Sequence, residues 1–345
     1  MIPIQNIYYM LSYAFQVLNE QGYKNIATEQ FNNTGELMAA ILEKGIAIQI
    51  KRGLGKEYIL QTEALSSLRG KIDIAESIKT QSMLRKQLIC TYDEFSVNSI
   101  MNRIIKSTVE LLLRSNISKQ RKKNLRKLMV YFSEVDFIDL YTVNWNVQYN
   151  RNNQTYRMLI SICYLVVKGL LQTQSNGHTE LMDFLDEQRM CRLYEKFILE
   201  YYRREFKNQI TANASQIPWQ LDNEENSMLP VMQSDIMLQS GEKVLIIDAK
   251  YYEHSTQVQF DKHTLHSGNL YQIFTYVKNK EYELREKDHT VSGMLLYAKT
   301  DEEIYPNNVY QMSGNQITVR TLDLNLPFDE IAGQLNTIAK THFDL

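Results

Sequence analysis

The chain has no glycine-rich phosphate loop, no long apolar run, no excess of either charge and almost no cysteine. Each absence removes a class of function. Without a Gly-x-x-x-x-Gly-Lys-Ser/Thr segment there is no nucleotide-binding loop of that type, so an NTP-driven step belongs to a partner. The nearest stretch, Lys51-Arg52-Gly53-Leu54-Gly55-Lys56, reads as a basic glycine turn with the wrong spacing. No apolar run reaches the roughly 18 residues of a membrane-spanning helix. Ile4–Leu18 lacks the basic flank and cleavage site of a signal peptide, so a cytoplasmic location is expected. Net charge is −2, so any attraction to nucleic acid must come from local patches. Cys90, Cys163 and Cys191 are odd in number and far apart. They fit a reducing compartment and no metal-finger spacing, and are expected as small buried side chains.

What is present is an ordinary globular composition, 44% hydrophobic and 23% charged over 345 residues. That length predicts two domains, each with a sizeable core. Ile7, Met10, Leu11, Ala14, Phe15 and Leu18 follow the spacing of an amphipathic helix over 4–18. Tyr8, Tyr9 and Tyr13 on it are expected in the core rather than on a ligand face. Further helices are predicted over 36–47, 100–113 and 156–171, with short strands over 57–73. Leu68-Arg69-Gly70-Lys71-Ile72-Asp73 reads as a solvated turn, or as a contact for an acidic partner through Arg69 and Lys71. Residues 119–127 carry six basic side chains in nine. As a helix, they place Lys119, Lys122, Lys123 and Arg126 on one face, either solvated or set against a phosphate backbone. The polar stretch 172–178 is the expected boundary, dividing the chain into 1–175 and 176–345.

The second half is organised around Asp235–Lys250, DIMLQSGEKVLIIDAK. Ile236-Met237-Leu238 and Val244–Ile247 read as two strands joined at Gly241-Glu242, a type II′ turn. If Ser240 pairs with Lys243, Asp235 lies opposite Asp248 and Gln233 opposite Lys250. Side chains alternate between faces, so Asp235, Asp248 and Lys250 emerge together at one end of the hairpin. Directly opposed Cβ atoms lie roughly 4.5–5.5 Å apart. Two carboxylates that close call for a cation between them, and Mg²⁺ suits oxygen ligands.

Around the hairpin, a helix over 186–204 carries Glu195 at the edge of its apolar stripe, where a merely exposed glutamate is the plainer reading. Residues 211–228 read as a long loop. A polar loop with His254, His263 and His266 follows the hairpin and matches no zinc spacing. Ser267 is expected to cap a helix on which Gln272 and Tyr276 share a face. Strands at 291–298, 309–312 and 317–322 and a helix over 328–340 complete the chain.

The order helix, hairpin, strand, helix, strand, with Glu195, Asp235, Asp248-x-Lys250 and Gln272-x-x-x-Tyr276, resembles the PD-(D/E)XK nuclease superfamily in its Gln-x-x-x-Tyr branch. Ser234 stands where that motif has proline. IPIQNIYYMLSYAF at the N-terminus, LRGKID, MNRIIKST, LYEKF and LIIDAKYY together are similar to the McrC family, the nuclease subunit of McrBC-type modification-dependent restriction systems. The resemblance spans nearly the whole chain. It implies an α+β protein of two domains: a mixed α/β N-terminal region, 1–175, that binds and stimulates an McrB-like AAA+ GTPase hexamer, and a nuclease domain, 176–345, with a mixed sheet flanked by helices. It further implies Mg²⁺-dependent cleavage of double-stranded DNA. Asp235 and Asp248 would bind the metal, with the Ala249 carbonyl as a further oxygen. Glu195 would reach the metal directly or through water, Lys250 would act on the water or the phosphate, and Gln272 and Tyr276 would support them. Two other functions fit the residues: a stand-alone repair-type nuclease, and a GTPase activator whose nuclease fold is idle.

Overall fold

A computed structural model describes residues 2–15, 18, 23, 26, 29, 31, 33–150, 153, 155–174, 187–223, 228–252, 257–259, 262–299 and 305–345. They form two compact units: Met1–Ala27 with Phe184–Leu345, and Thr28–Asp183. The expected division at 175/176 therefore changes in one respect, because residues 1–27 fold with the C-terminal part. Most of the polar boundary stretch, 175–178, lies outside the described residues. No helix among the described residues is long and apolar enough to cross a membrane.

The chain opens with α1 (Ile4–Ala14), whose apolar stripe is buried together with Tyr8 and Tyr13. Tyr8 and Tyr13 take the expected core role, whereas Tyr9 is half-buried.

The middle unit begins with α2 (Thr34–Arg52), capped by the Asn33 side chain, which accepts from Glu36 N at 2.8 Å. It runs five residues past the predicted end. Lys51 and Arg52, expected in a glycine turn, form its last turn, where cations suit the helix dipole. Strands β1 (Glu57–Leu65) and β2 (Lys71–Asp73), the short helix α3 (Ile74–Lys79) and strand β3 (Leu88–Ser96) follow. Here β3 is the centre of an antiparallel sheet ordered β1-β3-β2. Helices α4 (Ile100–Arg114), α5 (Lys119–Met129) and α6 (Tyr156–Gln174) complete the unit and pack with α2.

The other unit continues with α7 (Glu187–Glu205), β4 (Thr211–Asn213), β5 (Gln216–Ile217), β6 (Met232–Gln233), β7 (Ile236–Ser240) and β8 (Lys243–Lys250). After these come β9 (Gln257–Gln259), β10 (Lys262–Thr264), α8 (Ser267–Leu284), β11 (Thr290–Ala298), β12 (Asn308–Met312), β13 (Asn315–Leu322) and α9 (Phe328–Phe343). Its six-stranded sheet runs β12-β13-β11-β8-β7-β4. It is mixed: β11 lies parallel to both β8 and β13, and the other neighbours are antiparallel. Helices flank it, as expected. Two loops were expected where the structure has strands. β4 and β5 fall within 211–228, and β9 and β10 pair within the histidine-bearing segment. Strands of two or three residues are too short to carry a readable period. Of the histidines expected there, His254 lies outside the described residues. Ser267 is the first helical residue rather than the cap, a position held by His266.

The sheet's core is built against α8. Ile273, Tyr276 and Val277 of the helix meet Val244, Ile246, Val291, Leu295 and Val319. Gly293 permits this approach, since a Cβ there would lie 2.8–2.9 Å from Ile273, Ile317 and Val277 side-chain atoms. A second cluster joins α1, α7 and α9. Tyr13 lies 5.7 Å from Phe197 and 5.8 Å from Phe328, and Tyr9 stacks on Phe328 at 4.5 Å.

Candidate active site

The hairpin forms in the expected register. Ser240 pairs with Lys243 and Ile236 with Ile247. Gly241 has φ +57° while Glu242 is not left-handed, the combination a type II′ turn requires. The ladder ends at Ile236. Gln233 pairs with Gln216 instead of facing Lys250, a correction to the extrapolated register. Asp235 sits at the bend just beyond the ladder, and its Oδ2 accepts from Ala249 N at 3.0 Å. That bond fixes its carboxylate against the end of β8.

Alternation sets the rest. Val244 and Ile246 belong to the α8 core cluster, so Asp248 and Lys250 leave β8 on the same face. Asp248 is 1% exposed. Lys250 Nζ stands 2.9 Å from its Oδ2 as an ion pair, but neither carboxylate oxygen has an aligned hydrogen bond among the described residues. Burial, and then the neighbouring Asp235, push the Asp248 pKa up to about 7, against the opposing pull of Lys250. On Lys250, burial favours the neutral amine, but the Asp248 and Asp235 carboxylates outweigh it and hold its pKa above the ordinary value.

The helices bring in the remaining candidates. Glu195 on α7 is raised by burial and then by the Asp235 charge, with Lys250 opposing. Glu195 is half-buried rather than a solvated side chain, and it faces the charges of Asp235 and Lys250. Cys191, one turn earlier, donates its thiol to Glu195 Oε1 at 3.1 Å. Burial first, and then that bond, push the thiol up to about 12. Cys90 and Cys163 are buried as expected, whereas Cys191 is half-buried and polar in its contacts. On α8, Gln272 Oε1 accepts from Lys250 Nζ at 3.2 Å, and Gln272 Nε2 donates to Tyr276 Oη at 2.9 Å. Five of the six residues singled out in this half thus meet at one end of the sheet, and Glu195 acts on them electrostatically from α7. Sequence reasoning missed Asn269, Tyr252 and Tyr297. Asn269 donates to Tyr297 Oη at 2.9 Å and accepts from Tyr252 Oη at 3.3 Å. Its one sequence signal is its place one turn before Gln272.

The donor set fits a divalent cation. Asp248 offers two buried oxygens without aligned donors. Among the described residues no three His, Cys, Asp or Glu side chains are arranged to hold a metal, so two carboxylates and solvent or main-chain oxygens would share the task. Mg²⁺ is commonly held that way.

A family model described as the McrBC 5-methylcytosine restriction system component matches residues 5–298, which include Glu195 and the five clustered residues. The chain belongs to this family. The Type IV methyl-directed restriction enzyme EcoKMcrBC of Escherichia coli K12 is 30% identical over 329 residues, 94% of this chain and 93% of the relative. Two solved assemblies from Thermococcus gammatolerans are also similar. One, a half-complex of McrB AAA+ hexamers with bound McrC, is 19% identical with a TM-score of 0.48, covering 97% of this chain and 76% of that one. The other, an McrBC complex, is 23% identical with a TM-score of 0.43, covering 59% of each chain.

The candidates outside the cluster all lie in the Thr28–Asp183 unit. On α5, Lys119, Lys123 and Arg126 are exposed and Lys122 half-buried, with Leu125 buried behind them. Arg121 is withdrawn from this basic face. It bonds Glu29, Glu36 and Glu43 at 2.9, 3.2 and 2.8 Å. Arg69 and Lys71 are exposed beside β2, with the Arg69 guanidinium 4.3 Å from the centre of the Tyr92 ring.

Proposed function

We propose that this restriction-system component is the DNA-cutting subunit, a Mg²⁺-dependent PD-(D/E)XK endonuclease driven by an McrB-like AAA+ GTPase hexamer on modified, 5-methylcytosine-type DNA. The observation that carries this reading is the meeting of Asp235, Asp248, Lys250, Gln272 and Tyr276 at one sheet end, with Glu195 acting on them electrostatically from α7. Asp235 and Asp248 would hold Mg²⁺, with Glu195 as a further carboxylate for the ion or its water. The ion would supply Lewis-acid polarisation of the phosphodiester and a water of lowered pKa. Lys250 does the rest of the electrostatic work. Its ammonium pairs with the Asp248 charge and donates to Gln272, and of its three N–H donors it has one to offer a phosphate oxygen. A fixed cation there stabilises the charge that develops during attack. Tyr276 holds Gln272, and Gln272 holds Lys250.

Family membership and the missing phosphate loop support a division of labour in which the partner binds and hydrolyses GTP. The Thr28–Asp183 unit would then dock on and stimulate that partner, with Arg69 and Lys71 as contacts, while the basic face of α5 would meet the DNA backbone. Cytoplasmic action follows from such a role.

The test is cleavage of modified duplex DNA with Mg²⁺, with and without the GTPase and GTP, for the wild type, Asp248→Ala and Lys250→Ala. Cutting that needs partner, GTP and both side chains is the expected result. Cutting by the isolated chain would indicate the stand-alone nuclease. Absence of cutting with GTPase stimulation intact would leave only the activator.

A further inference from the structure

Beside Lys250 a separate set of hydrogen bonds centres on a residue that the proposed chemistry does not use. Asn269 precedes Gln272 by three positions on α8, so both amides project from one side of the helix. Asn269 is 8% exposed. A buried primary amide must place two donors and an acceptor, and its partners here are two tyrosine hydroxyls. Its Nδ2 donates to Tyr297 Oη at 2.9 Å, and its Oδ1 accepts from Tyr252 Oη at 3.3 Å.

These tyrosines are the neighbours of Lys250 in the two directions of the sheet. Tyr297 is its paired residue across the parallel ladder to β11, so the two side chains leave the same face. Tyr252 stands two positions beyond Lys250 along the chain. The two rings lie 6.3 Å apart, and Tyr297 is fully buried. One amide therefore ties both flanks of Lys250 to the helix that also carries Gln272. Three contacts then depend on where the first turns of α8 sit: Asn269 to Tyr252, Asn269 to Tyr297, and Gln272 to Lys250.

We propose that Asn269 is a positioning residue for Lys250: by binding Tyr252 and Tyr297 it walls the lysine on two sides and keeps Gln272 Oε1 on Nζ. The catalytic consequence rests on the nuclease reading, whereas the placement of Lys250 does not. A lysine has a long flexible stem. Released from these walls, it would sample positions in which its third donor no longer meets a phosphate.

The test reads Lys250 directly. The full-length chain, free of metal and DNA, is treated with an amine-acetylating ester, and Lys250 modification is followed by peptide mass spectrometry in the wild type, Asn269→Ala, Tyr252→Phe and Tyr297→Phe. The phenylalanine variants keep the rings and remove only the hydroxyls, so they guard against a folding defect in Asn269→Ala. Lys250 should be modified about fivefold faster or more in Asn269→Ala and Tyr297→Phe, as expected for local release, while exposed Lys119 and Lys123 keep their rates. In the Mg²⁺-dependent cleavage assay the same variants should lower kcat by roughly 10-fold or more, as a displaced catalytic group does, and leave KM for DNA unaltered. Unchanged Lys250 modification in all three variants overturns the proposal. So does faster modification spread over every lysine with a lower thermal midpoint, which would mean general loosening. Labelling needs neither metal nor DNA, so failure of the nuclease reading alone leaves this result standing.

Discussion

At Asp248 a single side chain links burial and charge to the cation binding proposed above. An ordinary aspartate loses its proton near pH 4, while burial and the Asp235 carboxylate hold the Asp248 proton up to about pH 7. Between those values the unfolded chain binds fewer protons than the folded one, so this group's contribution to stability is lost as pH rises towards 7. A divalent cation competes for the same oxygens and favours the ionised form. Mg²⁺ is therefore expected to raise the thermal midpoint at pH 8 and to raise it clearly less at pH 6. At a hundredfold excess over Kd the gain is about 2.7 kcal/mol. Asp248→Asn should abolish the Mg²⁺ shift at both pH values. A shift that is equal at pH 6 and 8, or that survives in the variant, would place the cation elsewhere. Lys250 is charged throughout this window, because its raised pKa puts its titration above it.

Among the elements, the hairpin was the most legible part of the chain. A β-branched run, a glycine at the one turn position that needs positive φ, and strict alternation together define where Asp235, Asp248 and Lys250 emerge. What could not be read is how closely α8 approaches. Gly293 looks like an ordinary weak point in a strand, yet a Cβ there would lie 2.8 Å from Ile273. Gly293→Ala should cost about 1–3 kcal/mol through overpacking. It should also slow cleavage, because a retreating α8 takes Gln272 away from Lys250. Gly241→Ala is the control: its Cβ meets nothing within 4 Å, so only the left-handed φ opposes it, at about 1–2 kcal/mol, and the site stays in place. Urea midpoints of the two variants, set beside their cleavage rates, separate the effects; a Gly293→Ala chain with full activity would show that α8 yields without moving the site. The same limit hid the role of Arg121. Six basic residues in nine read as one basic surface, but the acids that bury Arg121 lie about 80 to 90 positions away in sequence. Arg121→Leu removes the cation shared by three glutamates, of which Glu36 and Glu43 keep bonds from Ser118 and Asn124, and is expected to cost about 1–3 kcal/mol, a loss measurable by denaturant unfolding. Lys123→Ala, on the exposed side of α5, should change stability little.

For the whole molecule, the consequential finding is where α1 belongs. Its stripe was readable, since periodicity shows which face is buried, but not what covers it. The covering elements are α7 and α9, far along the chain. Asn6 donates to the carbonyls of Leu324 and Leu326 at 2.8 Å each, and Tyr13 donates to Glu205 at 2.9 Å. A fragment cut at the boundary suggested by sequence, 176–345, would lose these bonds and expose Phe197, Tyr201 and Phe328. Ile7, Met10 and Leu11 are each at most 5% exposed, and burying side chains of this kind contributes on the order of 5 kcal/mol together. The fragment should therefore melt about 10–20 °C below the whole chain, with a tendency to aggregate. Residues 1–27 joined through a flexible linker to 184–345 should recover most of that loss, because they restore the cover without the middle unit. Circular dichroism melts of the two fragments and the whole chain decide the matter. If 176–345 melts with the whole chain, α1 adds little to this unit and its buried face answers to something else. If the joined fragment alone recovers, the first 27 residues belong to one fold with the C-terminal part, and the Thr28–Asp183 unit is an insertion between its two pieces.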